Sequence, residues 1–592
     1  GMVLVNSSPL QISQDLLHLL LITTMKNQTT EFFKVLNFLN MKNWLAIFSF
    51  LLSASITAQN VTISGYMRDA ATGEELISVP IVNQDRQGTV TNVYGFYSLT
   101  IPAGQQTFTV SYIGYETIIK KINLTSSETF NFEMKESANQ LVEVQVTAKR
   151  LDENLNSAEM STTQLTAKQI KTIPQFLGEL DVIRSITLLP GVTTVGEGAS
   201  GFNVRGGKTD QNLILLDQAP VYNSSHIFGF FSVFNGDAVS DLKLYKGGVP
   251  AVFGGRLSSV LDVHQKEGNT KEYGGTIGLG LLSSRVMFEG PLVKDKASFM
   301  IAGRRSYQDL LLRLSPDDDI NTIVANFYDL NAKVNYKFND KSRLFLSAYY
   351  GKDAFGVPGL VRFNWGNLGL TGRWNYLIND KLFLNVSSIY SDYDYAIGFD
   401  FPTAKIDNVA YINNQSNKVA FSWFPNAKHQ VNFGAEATVY DFEPFSVRAD
   451  FIDSAIADIS IELQNEYAVE PSFYIEDNWK INNRLTVRGG LRYSSFYNIG
   501  ARDVVNYNPT SAGTYRNERI IDTTSYSSGD IISAFEGLQG IEPRLAINYR
   551  SSENSSVKLS YNRMRQYIHL ISNTTSSLPI DTWRPAGQYI KP

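Results

Sequence analysis

The sequence predicts a mainly β protein of three successive parts, and three observations carry that prediction. Between residues 62 and 136, short strand-like runs recur at close spacing with turn residues between them. Between Gly201 and Val263, strands alternate with glycine pairs and few residues favour a helix. From Tyr273 onward, long runs alternate apolar and polar side chains, with charges at every second position. The composition agrees. Aromatic residues make up 12% of the chain, with 35 Phe and 30 Tyr, which suits strands that have one apolar and one polar face. At 592 residues the chain is too long for one ordinary core. A net charge of −5 gives no basic footprint for nucleic acid. The absence of cysteine excludes disulfides, thiolate zinc sites, iron–sulfur clusters and cysteine nucleophiles. Five histidines leave little material for metal or acid–base chemistry, and no metal or cofactor is expected.

Residues 1–40 are unassigned, and Met41 is expected to be the true start. Lys42, the apolar run Trp44–Leu52 and the small residues Ala54–Ala58 form a secretory signal peptide over 41–58. Cleavage is expected after Ala58, although Ile56 is a poor residue at the −3 position. No later segment holds eighteen uninterrupted apolar residues, so no membrane helix is expected.

Residues 59–140 read as a β-sandwich. Strands are expected at Thr62–Tyr66, Val79–Val82, Tyr97–Ile101, Thr107–Tyr112, Thr117–Ile122 and Thr129–Met134. Turns fall at Ala71–Gly73, Gln87-Gly88, Pro102–Gly104 and Gly114. The runs Ile63–Gly65, Asp69 with Thr72-Gly-Glu74, and Thr91–Leu99 resemble the carboxypeptidase-regulatory-like domain. In this setting that is a module, not a peptidase.

In the middle stretch, strands at Phe202–Val204 and Leu213–Leu216 flank a turn with Gly206, Gly207 and Asp210. A second strand–glycine–strand unit runs from Asp241 to Arg256 and on to Val263. Asn203–Gly206, Leu216-Asp217 leading to Pro220-Val221, and Phe253–Arg256 leading to Ser259–Asp262 together resemble the plug domain of TonB-dependent outer-membrane receptors. No one of these tripeptides is specific; their order and spacing are. The resemblance covers residues 62–592 and implies an α+β plug at 162–268. Helices are expected at Thr166–Thr172 and Leu177–Leu188, the second stopped by Pro190-Gly191. It further implies a plug latch built from Arg205, Gly206, Gly207, Asp217 and Arg256, with the two arginines facing carboxylates on a barrel wall. The plain alternative for the arginines is solvated charge beside a glycine turn. The aromatic stretch Tyr222–Phe231 is expected to be a plug loop that presents Tyr222, His226 and Phe228 to a ligand. The alternative for its Phe residues is packing against the barrel.

Leu141–Ala148, with the polar linker 149–161, is similar to a TonB box. Val144, Gln145, Val146, Thr147 and Ala148 would pair by their backbone with the edge of a partner sheet. The competing reading is a last strand of the sandwich.

Residues 269–592 are expected to form a transmembrane antiparallel β-barrel. Leu485, Val487, Leu491 and Tyr493 oppose Thr486, Arg488 and Arg492, while Val334, Tyr336 and Phe338 oppose Lys333, Asn335 and Lys337. Such alternation suits lipid outside and water inside. Short turns are expected at residues 293–295, 339–341, 379–381, 425–427, 482–483 and 551–555. Longer loops are expected at 315–321, 399–407, 442–461 and 506–539. About twelve strands are expected, against roughly 22 in plugged outer-membrane transporters. An unpaired edge in lipid is costly, so the barrel is read as partial and the chain as truncated at its C-terminus.

His264-Gln-Lys-Glu267 matches a zinc-ligand spacing but lacks the remaining ligands. Asp317-Asp-Asp319 is read as a solvated loop rather than a calcium site. The resemblance implies a receptor, not an enzyme, in the outer membrane of a Gram-negative bacterium, with its N-terminal domain and plug on the periplasmic side. It would import a nutrient ligand with energy supplied by TonB, set in outer-membrane lipids. Iron chelates, cobalamin, oligosaccharides and peptides all fit this architecture. A surface lipoprotein partner is compatible with it, although the plug pattern departs from the subgroup that uses one. The rival reading is a signal transducer that reports ligand occupancy through its N-terminal domain.

Overall fold

Alternation of buried and exposed side chains dominates the computed structural model, which describes residues 60–137, 155, 157–173, 179–195, 201–451, 457–507, 520–532, 538–571, 582–588 and 590–592. The expected signal peptide and Val144–Ala148 lie outside these residues.

The first part is a sandwich of two sheets. One holds Phe96–Pro102, Asn60–Asp69, Glu128–Thr129 and Phe132–Met134; the other runs Gly88–Val90, Pro80–Asn83, Gly104–Val110, Ile118–Leu124. Ile63, Met67, Ile81, Tyr97, Leu99 and Phe108 point between the sheets and form its core. Gly88–Val90 is an added strand that begins at the Gly88 of the expected Gln87-Gly88 turn. It pairs with Pro80–Val82 across a tight bend held by Asn83, whose side-chain oxygen accepts from the amides of Asp85 and Gln87 at 3.0 and 2.8 Å.

The plug is a five-stranded mixed sheet in the order Ala219–Pro220, Asn212–Leu216, Ser259–Gln265, Val239–Tyr245, Thr162–Thr166. The Asn212–Leu216 and Ser259–Gln265 strands run parallel, and the other neighbours antiparallel. Val182, Ile186, Phe234, Leu242, Leu244 and Leu261 fill the core between sheet and helices. Helix Ala167–Thr172 starts at a capping box between Thr166 and Gln169. The second helix is shorter than expected, Val182–Thr187. The Asp181 carboxylate accepts from the Arg184 amide at 2.9 Å and sets its start. Phe202–Val204 pairs with Val192–Thr194 rather than with Asn212–Leu216.

The third part is one antiparallel sheet, the wall. Thirteen strands follow one another along its path from Gly274–Leu279 to Ser556–Asn562, with Ile459–Glu462 and Tyr497–Ile499 paired beside it. Those first and last strands are not paired to each other among the described residues. Apolar residues such as Ile277, Ile301, Val334, Leu346 and Ile475 face outward and are exposed. Their sequence neighbours point inward and are buried; Lys333 is 3% exposed beside Val334 at 37%. This arrangement, apolar outside and charged inside, is that of a strand wall in lipid. The short turns recur as one device. Asn339, Asn379 and Asn426 each accept, through the side-chain oxygen, from the amide two residues on at 2.9 Å. Outward-facing Phe338, Trp374, Trp423 and Trp479 ring that end.

Two expected loops are strand instead. Residues 404–407 and 442–451 continue the 23-residue strands Ala404–Asn426 and His429–Phe451. At about 3.4 Å per residue these strands run far past the about 9–11 residues that cross a bilayer. Their backbones pair with each other, so no lipid is needed to end them. The loop expected at 315–321 holds the short helix Asp318–Asn321, with Asp317 as its N-cap.

Candidate functional site: the seam between plug and wall

The plug sits against the inward face of the wall, and the contacts between them are mostly polar. They fall into three groups along the strands. The first centres on Glu267, where the last plug strand passes into the wall. Its carboxylate pairs with Arg343 at 3.2 Å and Arg373 at 3.5 Å, and its carbonyl accepts from Asn335 at 2.7 Å.

The second group holds two turns of the plug. Asp217, whose φ of 47° lies in a region that Asp tolerates, accepts from the Gln265 amide at 3.1 Å. Lys333 of the wall reaches in to pair with Asp217 at 3.1 Å and donates to the Gln265 carbonyl at 2.8 Å. Around Pro250, three wall arginines grip plug carbonyls. Arg488 donates to Gly248, Arg544 to Pro250, and Arg492 to Val252 at 3.1 Å. Glu476 of the wall accepts from the Ala251 amide at 2.8 Å. No plug side chain takes part in these four contacts, so the turn is held by its backbone.

The third group contains the residues singled out as ligand contacts. Ser225-His226 pairs with Phe231-Ser232 as a small hairpin. His226 is fully buried at its base, with Nδ1 2.6 Å from Asp353 and Nε2 3.4 Å from Asp329, and its ring stacks on Phe327 at 4.2 Å. Burial opposes a charge on this imidazole, but the Asp353 and Asp329 carboxylates outweigh it and raise its pKa. Asp329 also pairs with Arg304 at 2.6 Å, and Arg304 reaches Glu179 of the plug at 3.5 Å. Phe228 stands at the hairpin tip with a φ of 52° and seats among Phe355, Phe363 and Trp365 of the wall, at 5.2, 5.8 and 5.1 Å. Tyr222 donates to Asn414 of the wall at 3.1 Å and meets Trp583 edge-on at 5.3 Å.

The structure thus brings Asp217, Tyr222, His226 and Phe228 to the wall. Arg205 lies elsewhere. It donates to Ser161, the last linker residue before the plug, at 2.6 Å, beside Gly206 and Gly207 in the turn after Phe202–Val204. Arg256 is buried and lies over the Trp583 ring at 5.4 Å. Among the described residues, neither arginine has a wall carboxylate within 4.0 Å. Around Asp217 and Pro250 the polarity expected of a latch is reversed: the cations stand on the wall, and the plug offers a carboxylate and carbonyls. Lys333, Arg488 and Arg492 were visible in the sequence as the polar phase of their strands. Their roles were not, because nothing in the alternation says which plug group each one meets.

His264 places Nδ1 3.1 Å from Asp241 and Nε2 3.5 Å from Asp262, both within the plug sheet. Burial lowers the charge on this ring, while the two carboxylates more than restore it and hold its pKa well above the usual imidazole value.

Three family models match the chain: a CarboxypepD_reg-like domain over residues 63–146, a TonB-dependent receptor plug domain over 154–259, and an outer membrane beta barrel domain over 398–581. The first reaches into the segment read as a TonB box. A curated TonB-dependent receptor of Formosa agariphila is 27% identical over 248 residues, which is 36% of this chain and 23% of that protein. Among solved structures, the siderophore receptor PiuA of Acinetobacter baumannii aligns over 70% of this chain and 65% of its own, at 12% identity and a TM-score of 0.49. The ferric-catecholate import receptor Fiu of E. coli K12 aligns over 70% of each chain at 13% identity and a TM-score of 0.46. The chain therefore spans about a quarter of the curated relative and about two thirds of these structures.

Proposed function

We propose, for a chain that belongs to the TonB-dependent receptor family and lies in the outer membrane of a Gram-negative bacterium with its plug on the periplasmic side, that it imports a nutrient ligand by displacing this plug. The family is one of receptors and transporters, not enzymes. The observation that supports import is the chemistry of the seam. Wall cations grip plug carbonyls and the plug carboxylates of Glu179, Asp217 and Glu267, and water can replace each of those contacts. A plug held in this way separates from the wall without exposing a large apolar face, as transient interfaces do. Its apolar contacts are local, at the Phe228 seat and where Ala238 meets Met287, Met300 and Ala302.

In this reading the domain division is 59–140 sandwich, 141–161 TonB box and linker, 162–268 plug and 269–592 barrel. TonB pulls on Val144–Ala148, and the ligand is met at the outer loops and the plug tip near Tyr222. An iron chelate, cobalamin, an oligosaccharide or a peptide remains the cargo class. The test uses the absence of native cysteine. A Cβ built on Gly369 of the wall would stand 3.2 Å from the Ala219 Cβ of the plug, a few tenths short of the about 3.5–4.5 Å of a disulfide. An oxidised Ala219→Cys/Gly369→Cys chain should fail to rescue a deletion strain, in the medium where that deletion slows growth, and reductant should restore rescue. Full rescue by the oxidised chain would sink the import reading.

The transducer reading has one supporting observation: the sandwich touches the end of the plug and the first residues of the barrel segment directly. Glu74 accepts from the Glu267 amide at 3.0 Å, and the Thr72 carbonyl accepts from the Thr270 amide at 2.8 Å. Deleting residues 62–136 separates the two. Lost transcription with intact uptake favours the transducer.

A further inference from the structure

Sandwich, plug and wall together enclose a cavity of about 360 Å³, inside the about 300–1,000 Å³ typical of small-molecule sites. Its floor is the sandwich segment Gly88–Tyr94, its inner side is the plug from Val252 to Arg256, and its far end reaches Tyr222. The floor is sealed by chemistry of its own. Phe96 stacks on Phe383 of the wall at 5.4 Å, Glu75 pairs with Arg343 at 2.6 Å, and Lys480 donates to the Gly88 carbonyl.

The lining is cationic. Eight lysine and arginine side chains face five carboxylates. Several of those carboxylates are already engaged: Glu159 by Lys243 at 2.8 Å, Asp262 by His264 at 3.5 Å, Glu436 by Arg492 at 3.4 Å, and Glu476 by the Ala251 amide at 2.8 Å. Arg488 and Lys480 direct donors to neutral carbonyls. More telling, the Nε atoms of Arg256, Arg373 and Arg492 have no hydrogen-bond partner among the described residues, and these residues are only 6, 8 and 3% exposed. A buried cationic donor left unpaired is costly. Three of them around one cavity describe a site that lacks an acceptor.

We infer that this cavity is a chamber for an anionic, carboxylate- or phosphate-bearing solute, held by Arg256, Arg373, Lys418 and Arg492 and floored by the sandwich. The chamber lies on the periplasmic side of the Phe228 seat, so a solute there has passed the plug tip and still has to pass the sandwich. The inference rests on the import reading for its purpose, but not for its chemistry.

The test is calorimetric titration of the purified full chain in detergent at low salt, with inorganic pyrophosphate and, separately, tricarballylate. Saturable binding of at least one probe is expected. It should weaken tenfold or more in Arg373→Gln and in Lys418→Gln, and further as salt rises. Preference between the probes distinguishes phosphate from carboxylate chemistry. Lys418 is half-buried and lies over the Phe253 ring at 6.0 Å, so its variant tests the charge where Arg373→Gln disturbs folding. Binding of neither probe, or binding unchanged in both variants, overturns the chamber. The oxidised Ala219→Cys/Gly369→Cys chain should still bind the probe after uptake is lost, so failure of import and failure of the chamber are told apart.

Discussion

Two seams meet the same wall and differ in the balance of their chemistry. The plug is held by wall cations on carbonyls and on Asp217, Glu267 and Glu179, with apolar contact at the hairpin tip and where Ala238 meets Met287, Met300 and Ala302. The sandwich is held chiefly by an aromatic cluster in which Tyr94 and Phe96 stack on Phe383 at 5.3 and 5.4 Å, and Phe424 closes the edge at 6.0 Å, with the Glu75–Arg343 pair and the Lys480 bond to Gly88 beside it. Water competes for polar contacts and is expelled from apolar ones. The plug seam therefore suits a part that leaves and returns, and the sandwich seam a part that stays.

The strongest way to break that contrast is to remove one member of the buried plug pair. Lys333→Ala leaves Asp217 buried without its cation and should destabilise the seated plug by about 3–5 kcal/mol. Limited proteolysis of the plug in detergent reads it, and unchanged protection would show that the pair does not hold the plug. Next is Phe96→Ala, which should cost about 3 kcal/mol and free the sandwich while leaving the plug protected. Parallel loosening of both would mean the seams are one. On the outward face, Ile301→Arg places a charge in lipid at a cost of about 2–4 kcal/mol, measured by urea titration of folding into vesicles. A neutral result would mean that this face does not meet lipid. The smallest effect is titration of His226. Its folded pKa is raised, so its contribution is complete below about pH 6.5 and is lost as pH rises through the raised value. Plug protection should fall as pH climbs through that range, no more steeply than the one-proton limit of about 1.4 kcal/mol for each step of one in pH. His226→Gln should flatten the slope, and an unchanged slope would place the titration on another group.

Much of this architecture was legible because β structure writes itself with period two. The alternation at Leu485–Tyr493 and Ala332–Phe338 foretold both faces of the wall, and the Asn turns foretold where strands reverse. The extension of the wall strands through residues 404–407 and 442–451 was missed, because Pro402 and Pro444 interrupt stretches of mixed polarity and read as loop. The helix expected from Leu177 was missed in part because helical texture does not show that Asp181 will act as a cap. Of the residues expected to form a latch, Asp217 meets a wall cation, whereas Arg205 and Arg256 have no wall carboxylate within 4.0 Å among the described residues. The cations on the seam are spread one or two to a wall strand, a pattern that no local motif marks.

The sequence by itself determined the β class, the sandwich, the plug motifs and which side of each wall strand is polar, because these follow from spacing within a few residues. Tertiary structure alone decided that Lys333 meets Asp217, that Arg488 meets the carbonyl of Gly248 240 positions away, and that Phe96 seats on Phe383. Those pairings depend on how three separately folded parts dock and on the stagger between strands. A local pattern repeated along every strand carries no record of either.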